Sequence, residues 1–134
     1  MMNSDLPSLV AENVTLTLDT IQILDDVSLS MKPGRLVAVI GPNGAGKSSL
    51  LSILSGLWTA DTGRVLLNNR EVGNYPPAER ARYCAVMRQD NTRPAGMTVL
   101  EAVELGRLAR EAEGEASDLA WAILEQMGLA DLAA

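Results

Sequence analysis

Residues 41–49 read GPNGAGKSS, so that three glycines, one lysine and two serines fall within nine positions. Glycines let the backbone turn successive N–H groups toward one point, and such a nest of N–H groups binds anions. Lys47 adds a mobile positive charge, and the hydroxyl of Ser48 is a hard oxygen ligand that suits Mg²⁺. These residue types predict a site that holds phosphate together with a magnesium ion.

The spacing of these residues is as informative as their types. Gly41, Gly46, Lys47 and Ser48 occupy the fixed positions of G-x-x-x-x-G-K-[ST], the P-loop pattern. The apolar run RLVAVI at residues 35–40 precedes the loop and predicts a strand covered on both faces, as in a parallel sheet between helices. A helix is predicted to follow, with apolar residues three or four positions apart at Leu50, Leu51, Leu54 and Leu57. Loop, strand and helix together predict a nucleoside triphosphate site.

The rest of the chain alternates between strand and helix patterns. Further strands are predicted at residues 9–18, 23–31, 62–69 and 84–89, and further helices at residues 78–83, 99–110 and 118–127. Thr98 and Glu101 have the spacing of a capping box, and Gly128 is placed to end the last helix. This order of elements predicts the α/β class.

Composition excludes several other kinds of chemistry. The 134 residues contain no histidine and one cysteine, Cys84, which excludes Ser-His-Asp triads, His-ligated metals and an internal disulfide. The net charge of −6 argues against binding to nucleic acid. Neither a signal peptide nor an apolar run of transmembrane length is present in the sequence, and a cytoplasmic location is expected.

The surroundings of the loop resemble one P-loop family closely. The stretch ILDDVSLSMKPGRLVAVIGPNGAGKSSLLSILSGLWTADTGRVLLNNREV is similar to the opening of an ABC-transporter ATP-binding subunit. The resemblance continues through PPAERARYCAVMRQD and MTVLEAVELGR and covers residues 9–132. The segment TVLEAVELGR is most similar to importers of iron–siderophore, haem and cobalamin. The resemblance therefore implies an energy-coupling subunit of such an importer.

The resemblance also implies a fold, an α/β P-loop NTPase of the ABC type with an N-terminal antiparallel β portion. Residues 9–89 would form the β portion with the P-loop, and residues 97–134 would begin the helical subdomain, within which the chain is truncated. The family's LSGGQ-like signature, Walker B carboxylates and switch histidine do not occur in these residues. The chain alone is therefore expected not to hydrolyse ATP, although the family does.

Functional residues follow from the resemblance position by position. ATP would be bound by Gly41, Pro42, Asn43, Gly44, Ala45, Gly46, Lys47, Ser48 and Ser49. Gln89 matches the Q-loop glutamine, which would support catalysis beside Lys47 and share the Mg²⁺ with Ser48. Leu18 stands where the family has an aromatic residue that stacks on adenine, and a leucine can still cover one face of the base.

Partners are implied in the same way. A membrane permease subunit would contact the region after Gln89, and a second ATP-binding subunit would complete a dimer on the cytoplasmic face of the membrane. Two other interpretations stay open, namely a different P-loop NTPase or small kinase, and a non-catalytic or residual nucleotide-binding fragment. An Asn-Lys-x-Asp guanine motif is absent from the sequence, which argues against a GTPase.

Overall fold

The computed structural model describes residues 8–87, 96–106 and 116–132. The chain forms two compact units, Met1–Pro76 and Pro77–Ala134, which are taken here one at a time. The first unit contains β1 (Leu9–Leu18), β2 (Ile21–Met31), α1 (Lys47–Leu54), β3 (Thr62–Leu67) and β4 (Arg70–Glu71), followed by a 3₁₀ turn at Val72–Asn74. The predicted strands at residues 9–18 and 23–31 are confirmed, the second beginning two residues earlier than expected.

The four strands form one antiparallel sheet in the order β2-β1-β3-β4. Leu18 pairs with Ile21 across a tight turn at Asp19 and Thr20, both of which have positive φ. The sheet and α1 enclose the apolar core of this unit, which consists of Ala11, Val14, Leu16, Leu24, Leu50, Ile53, Leu54, Val65 and Val72. Because the phosphate loop leads directly into α1, this core fixes the end of the loop.

Helix α1 buries only part of its predicted leucine pattern. Leu50 and Leu54 are buried, together with Ile53, whereas Leu51 and Leu57 are each 52% exposed. A helix that packs against one layer buries a single stripe, and successive residues advance by about 100° around its axis. Leu51 therefore lies on a face of α1 that the described residues leave in solvent, and Leu57 follows the end of the helix at Leu54.

The strand predicted at residues 35–40 is not formed among the described residues. None of these six residues is hydrogen-bonded in a sheet, and all six are exposed, Leu36 completely and Ile40 by 90%. Residues 84–87, part of another predicted strand, also have no regular secondary structure. An isolated strand is not stable without a hydrogen-bonded neighbour, and the described sheet ends at β2 and β4. Apolar composition predicted the strand, but its partner is not supplied by the described part of the chain.

In the second unit, the regular secondary structure of the described residues is helical. It contains α2 (Pro77–Arg80), α3 (Val99–Leu105), α4 (Ala116–Gln126) and a 3₁₀ turn at Ala130–Leu132. Helix α4 contacts α3 and completely buries Leu124. Gly128 has a φ of 69°, and the N–H of Leu129 donates to the carbonyl of Leu124 at 2.8 Å, which confirms the predicted glycine stop. Within the described ranges, no helix is long and apolar enough to cross a membrane.

The capping box at the start of α3 is confirmed. The Glu101 N–H donates to Oγ1 of Thr98 at 3.2 Å, and the Thr98 N–H donates to Oε2 of Glu101 at 2.8 Å. Hydrogen bonds from the Thr98 backbone and then from its hydroxyl hold the pKa of Glu101 below its usual value. The ionised form of Glu101 therefore stabilises the folded unit.

Replacing Thr98 with alanine is expected to lower the free energy of unfolding by about 1 kcal/mol at pH 7, because one helix N–H loses its acceptor. Chemical unfolding followed by circular dichroism measures this difference. Thr98→Ser keeps the hydroxyl and serves as the control, with an expected loss of a few tenths of a kcal/mol at most. Equal losses in the two variants would contradict the role of the cap.

The same box predicts a dependence on pH. A carboxyl whose folded pKa is lowered stabilises the fold above its unfolded pKa, and that stabilisation is lost as the pH falls through the folded pKa. The wild-type chain is therefore expected to lose stability over this acidic range more steeply than Glu101→Gln. Parallel melting curves from pH 7 to pH 3 measure the two slopes, and identical slopes would argue against the linkage.

Candidate functional site

The loop before α1 has the backbone of an anion nest. Residues 43 and 44 form a turn, in which the N–H of Ala45 donates to the carbonyl of Pro42 at 3.3 Å. Gly44 and Gly46 both have a φ of 81°, a left-handed conformation that favours glycine. Gly46 is also the N-cap residue of α1, which begins at Lys47 without a side-chain cap. Gly46 of the pattern, together with Gly44, therefore turns the chain into the helix.

Donors at the start of α1 are available for a ligand. Within the described residues, the backbone N–H groups of Gly46, Lys47 and Ser48 have no backbone acceptor, as expected for the first turn of a helix. The helix dipole adds partial positive charge at the same place, and the first turn holds no acidic residue to neutralise it. This end of α1 can hold a phosphate group by its backbone alone.

Lys47 lies back across the loop that precedes it. Its Nζ donates to the carbonyl of Gly41 at 2.9 Å and to that of Pro42 at 2.5 Å. The ammonium group is thus held at the opening of the nest by two neutral acceptors, which a phosphate can replace with a stronger charge-assisted contact. The Ser48 side chain is exposed and makes no hydrogen bond to the described residues. The nine predicted residues from 41 to 49 form the loop and the first turn of α1.

Strand β2 supports the loop from below, a contact that the sequence did not indicate. A Cβ placed on Gly46 would lie 2.8 Å from the carbonyl oxygen of Ile23 and 3.1 Å from Leu24 Cδ2. The two segments are more than twenty positions apart, so no local spacing could reveal their approach. The alternating pattern of β2 was the only available signal. It predicted a strand, but it did not indicate that the strand lies against the phosphate loop. Ile23 therefore packs against Gly46 and helps to hold the loop in place.

Leu18, predicted to cover a base, lies at the end of the same hairpin. It pairs with Ile21, and both side chains are exposed, Leu18 by 40% and Ile21 by 65%. Leu16, two residues earlier, pairs with Leu24, which is one of the β2 residues that approach Gly46. Leu18 therefore lies roughly 7 Å further along the strand than Leu16. An apolar pair thus stands near the phosphate loop, and contact with a base stays a prediction.

The predicted metal ligands are only partly described. Gln89 lies outside the described residues, and its predicted role is not tested by this structure. In the described ranges, no three acidic or cysteine side chains lie together as a metal site would require. Mg²⁺ commonly keeps several waters and takes its other ligands from one or two side chains and from substrate phosphates. The hydroxyl of Ser48 fits that limited contribution.

Comparison with known proteins places these features in a family. The family profile described as ABC transporter matches residues 24–134. The hemin import ATP-binding protein HmuV of Agrobacterium fabrum (strain C58) is 43% identical over 100 residues, which are 75% of this chain and 38% of that protein. The protein of the same name from Rhodococcus jostii (strain RHA1) is 36% identical over 127 residues, which are 95% of this chain and 44% of that protein.

Solved structures agree with the sequence relatives. A crystal structure of the ADP conformation of an ATP-binding cassette of an ABC transporter matches with a TM-score of 0.77 at 32% identity. A nucleotide-free ATP-binding cassette matches with a TM-score of 0.76 at 31% identity. Each match covers 96% of this chain and 56% of the solved chain, and the chain spans 38 to 44% of the two curated relatives. The chain belongs to the ABC transporter family and has the P-loop fold of its ATP-binding cassettes.

Proposed function

We propose that this chain is part of the ATP-binding subunit of an ABC importer whose cargo is haem or a similar iron chelate. The observation that carries the proposal is the phosphate nest, in which free N–H groups at the start of α1 and the Lys47 ammonium face the same loop. The cargo is suggested by the names of the two relatives, both of them hemin import ATP-binding proteins.

Different groups of the loop would bind different parts of MgATP. The N–H groups of Gly46, Lys47 and Ser48 would surround the inner phosphates, because a nest holds an anion without side chains. Lys47 would leave its two carbonyl acceptors and bind the outer phosphates, while Ser48 would provide one oxygen ligand to Mg²⁺. The magnesium ion would neutralise phosphate charge when it is bound. Residues 41–49 are thus proposed as the cofactor site.

Other functional residues extend the proposal beyond the loop. Leu18 would cover one face of adenine, and Gln89 would complete the metal site and respond to the permease. The permease would contact the region after Gln89, and a second ATP-binding subunit would face the nucleotide, on the cytoplasmic side of the membrane. Hydrolysis needs a general base, and the sequence holds no apolar run leading into an Asp-Glu pair. We therefore expect these 134 residues alone to bind MgATP without turning it over.

Titration of the purified chain with MgATP tests the proposal. The wild-type chain is expected to be stabilised by about 2.7 kcal/mol at a ligand concentration of 100 times Kd. Lys47→Ala is expected to bind about 10- to 100-fold more weakly, because hydrogen bonds to charged groups contribute roughly 1.5–3 kcal/mol each. Calorimetric titration gives Kd directly, and thermal unfolding reports the stabilisation.

The chain provides a matched control for this substitution. Lys32 is its only other lysine, lies exposed after β2 and is outside the loop. Lys32→Ala removes the same charge and is expected to leave the Kd for MgATP unchanged within a factor of about two, as for a surface substitution. Equal weakening by the two variants would show that general charge controls binding, and no binding by a folded wild-type chain would refute the proposal.

A further inference from the structure

The residue just before β3 holds the end of β1 through its side chain. The pairing of β1 with β3 ends at Thr15 and Thr62. Continuing this antiparallel register would place Ala60 opposite Thr17, but β3 begins only at Thr62. Asp61 takes the place of the missing pair, since its N–H donates to the carbonyl of Thr15 at 2.9 Å and its Oδ2 accepts the N–H of Thr17 at 2.7 Å. Asp61 therefore extends the hydrogen bonding along β1 beyond the end of β3.

The end of β1 is thereby held along both of its edges. Thr17 is bound by Asp61, which lies on the β3 side of the strand. Leu18, the next residue, pairs with Ile21 of β2 on the other side. The position of Leu18 therefore depends on two separate contacts, and Asp61 provides one of them through the residue that precedes Leu18.

The turn that joins Leu18 to Ile21 is strained. Asp19 has a φ of 56° and Thr20 has a φ of 123°. Positive φ is uncommon outside glycine, and a β-branched residue such as threonine is an outlier there. Backbone strain of this kind persists only where the surrounding structure over-determines it. The hydrogen bond from the Asp61 carboxylate, two residues before the turn, opposes its relaxation.

We propose that Asp61 is a positioning residue for the base of the bound nucleotide, and that it acts through the end of β1 and Leu18. This inference rests on the proposed function, in which Leu18 covers one face of adenine. Both hydrogen bonds of Asp61 go to β1, whereas the phosphates would be bound at residues 46–48, which are supported by Ile23 of β2. Loss of the Asp61 carboxylate therefore displaces the surface beside the base and leaves the phosphate nest in place.

Two ligands separate the base from the phosphates in the test. MgATP contains both, and the magnesium complex of inorganic tripolyphosphate contains the phosphate chain alone. Calorimetric titration of the 134-residue chain gives a Kd for each ligand. Asp61→Ala removes the acceptor of the Thr17 N–H and is expected to weaken MgATP binding by about 3- to 10-fold, the effect of one hydrogen bond. The Kd for tripolyphosphate is expected to stay within a factor of about two, as for a surface substitution.

Two further variants separate the hydrogen bond from the charge. Asp61→Asn keeps an oxygen acceptor and loses the negative charge, so its Kd for MgATP is expected to stay within a factor of about two of wild type. Asp25→Ala removes the same charge from β2, where the carboxylate accepts from Nε2 of Gln22 at 2.8 Å, and it is expected to leave both Kd values unchanged within that factor. Amide exchange measured by NMR without ligand is expected to be faster at Thr17 in Asp61→Ala than in wild type or Asp61→Asn.

Failures of the positioning role and of the proposed function give different results. Equal weakening of the two ligands by Asp61→Ala would indicate a general loss of structure or charge and overturn the positioning role. The role would also be overturned if Asp61→Asn bound MgATP as weakly as Asp61→Ala, or if Asp61→Ala bound it as tightly as wild type. A folded wild-type chain that binds tripolyphosphate as tightly as MgATP would retain the phosphate nest and overturn the inference about the base. Binding of neither ligand would refute the proposed function, and the inference with it.

Discussion

Gly63→Ala is expected to lower the free energy of unfolding by about 3–5 kcal/mol, because no space exists for a methyl group at this position. A Cβ on Gly63 would lie 2.3 Å from the carbonyl oxygen of Asn13 and 2.4 Å from that of Glu12. Both obstacles are backbone atoms of β1, so no side chain can rotate away to relieve the clash. Gly63 also has a φ of 81°, which adds the strain of a left-handed residue.

The local geometry explains why β1 cannot give way. The pairing of β1 with β3 shifts register between Glu12 and Thr15, and Asn13 has a φ of 50° at this bulge. The bulge is held from the other side, since Asn13 Nδ2 donates to Asp26 Oδ1 at 2.7 Å. Val14, next to it, is completely buried. Movement of β1 away from Gly63 would therefore disturb both the β2 pairing and the core.

Urea unfolding followed by circular dichroism measures the effect as a shift of the midpoint at constant m. Gly73→Ala is the matched control, because a Cβ at Gly73 meets nothing within 4 Å and its φ is not positive. The control is expected to stay within about 0.5 kcal/mol of wild type. Since small domains are stable by only about 5–15 kcal/mol, the expected loss at Gly63 is a large fraction of the total. A loss below about 1 kcal/mol would contradict the steric argument.

Gly63 also illustrates which features a sequence cannot reveal. A glycine beside Thr62 is an ordinary turn signal, and its tight approach to Asn13 depends on a bulge fifty residues away. Predictions succeeded where all of the determining residues are close in sequence, within one or two helical turns of each other. The capping box of α3 and the glycine stop at Gly128 were both of that kind.

Predictions of burial failed for a related reason. The pattern of residues 35–40 correctly describes an apolar segment, but coverage of its faces depends on material that the described residues do not contain. The leucine spacing of α1 also does not separate buried from exposed positions, since Leu50 and Leu54 are buried together with Ile53 whereas Leu51 is half-exposed. Apolar spacing reports that a residue can be buried. The layer that buries it is a property of the tertiary fold.

The phosphate loop is an intermediate case. Its pattern predicted the glycine turn and the helix start, and both are present at residues 43–47. The support by Ile23 was not predictable, because it depends on how the loop folds over β2. The contacts of the Lys47 ammonium with the Gly41 and Pro42 carbonyls depend on the backbone conformation of the loop, which the pattern does not specify. The residues of the candidate site could thus be named from sequence, while the forces that hold them in place could not.

Gly46→Ala is expected to weaken binding of MgATP by about 100-fold and to lower the free energy of unfolding by about 3 kcal/mol. The added methyl group would lie 2.8 Å from the carbonyl oxygen of Ile23, closer than such atoms can approach. Either the loop moves away from β2 or β2 moves away from the core that it shares with α1 through Leu24 and Leu50. Because Lys47 is the next residue, the first alternative displaces the helix start and the ammonium group together.

Gly44→Ala separates this contact from backbone strain. Gly44 has the same φ of 81° as Gly46, but a Cβ there meets nothing within 4 Å. Alanine at Gly44 is therefore expected to show only the left-handed penalty of about 1–2 kcal/mol, and the additional loss at Gly46 measures the contact with Ile23. Calorimetric titration and urea unfolding of both variants give the two differences. Equal effects at the two glycines would mean that conformation alone, without support from β2, determines the shape of the phosphate loop.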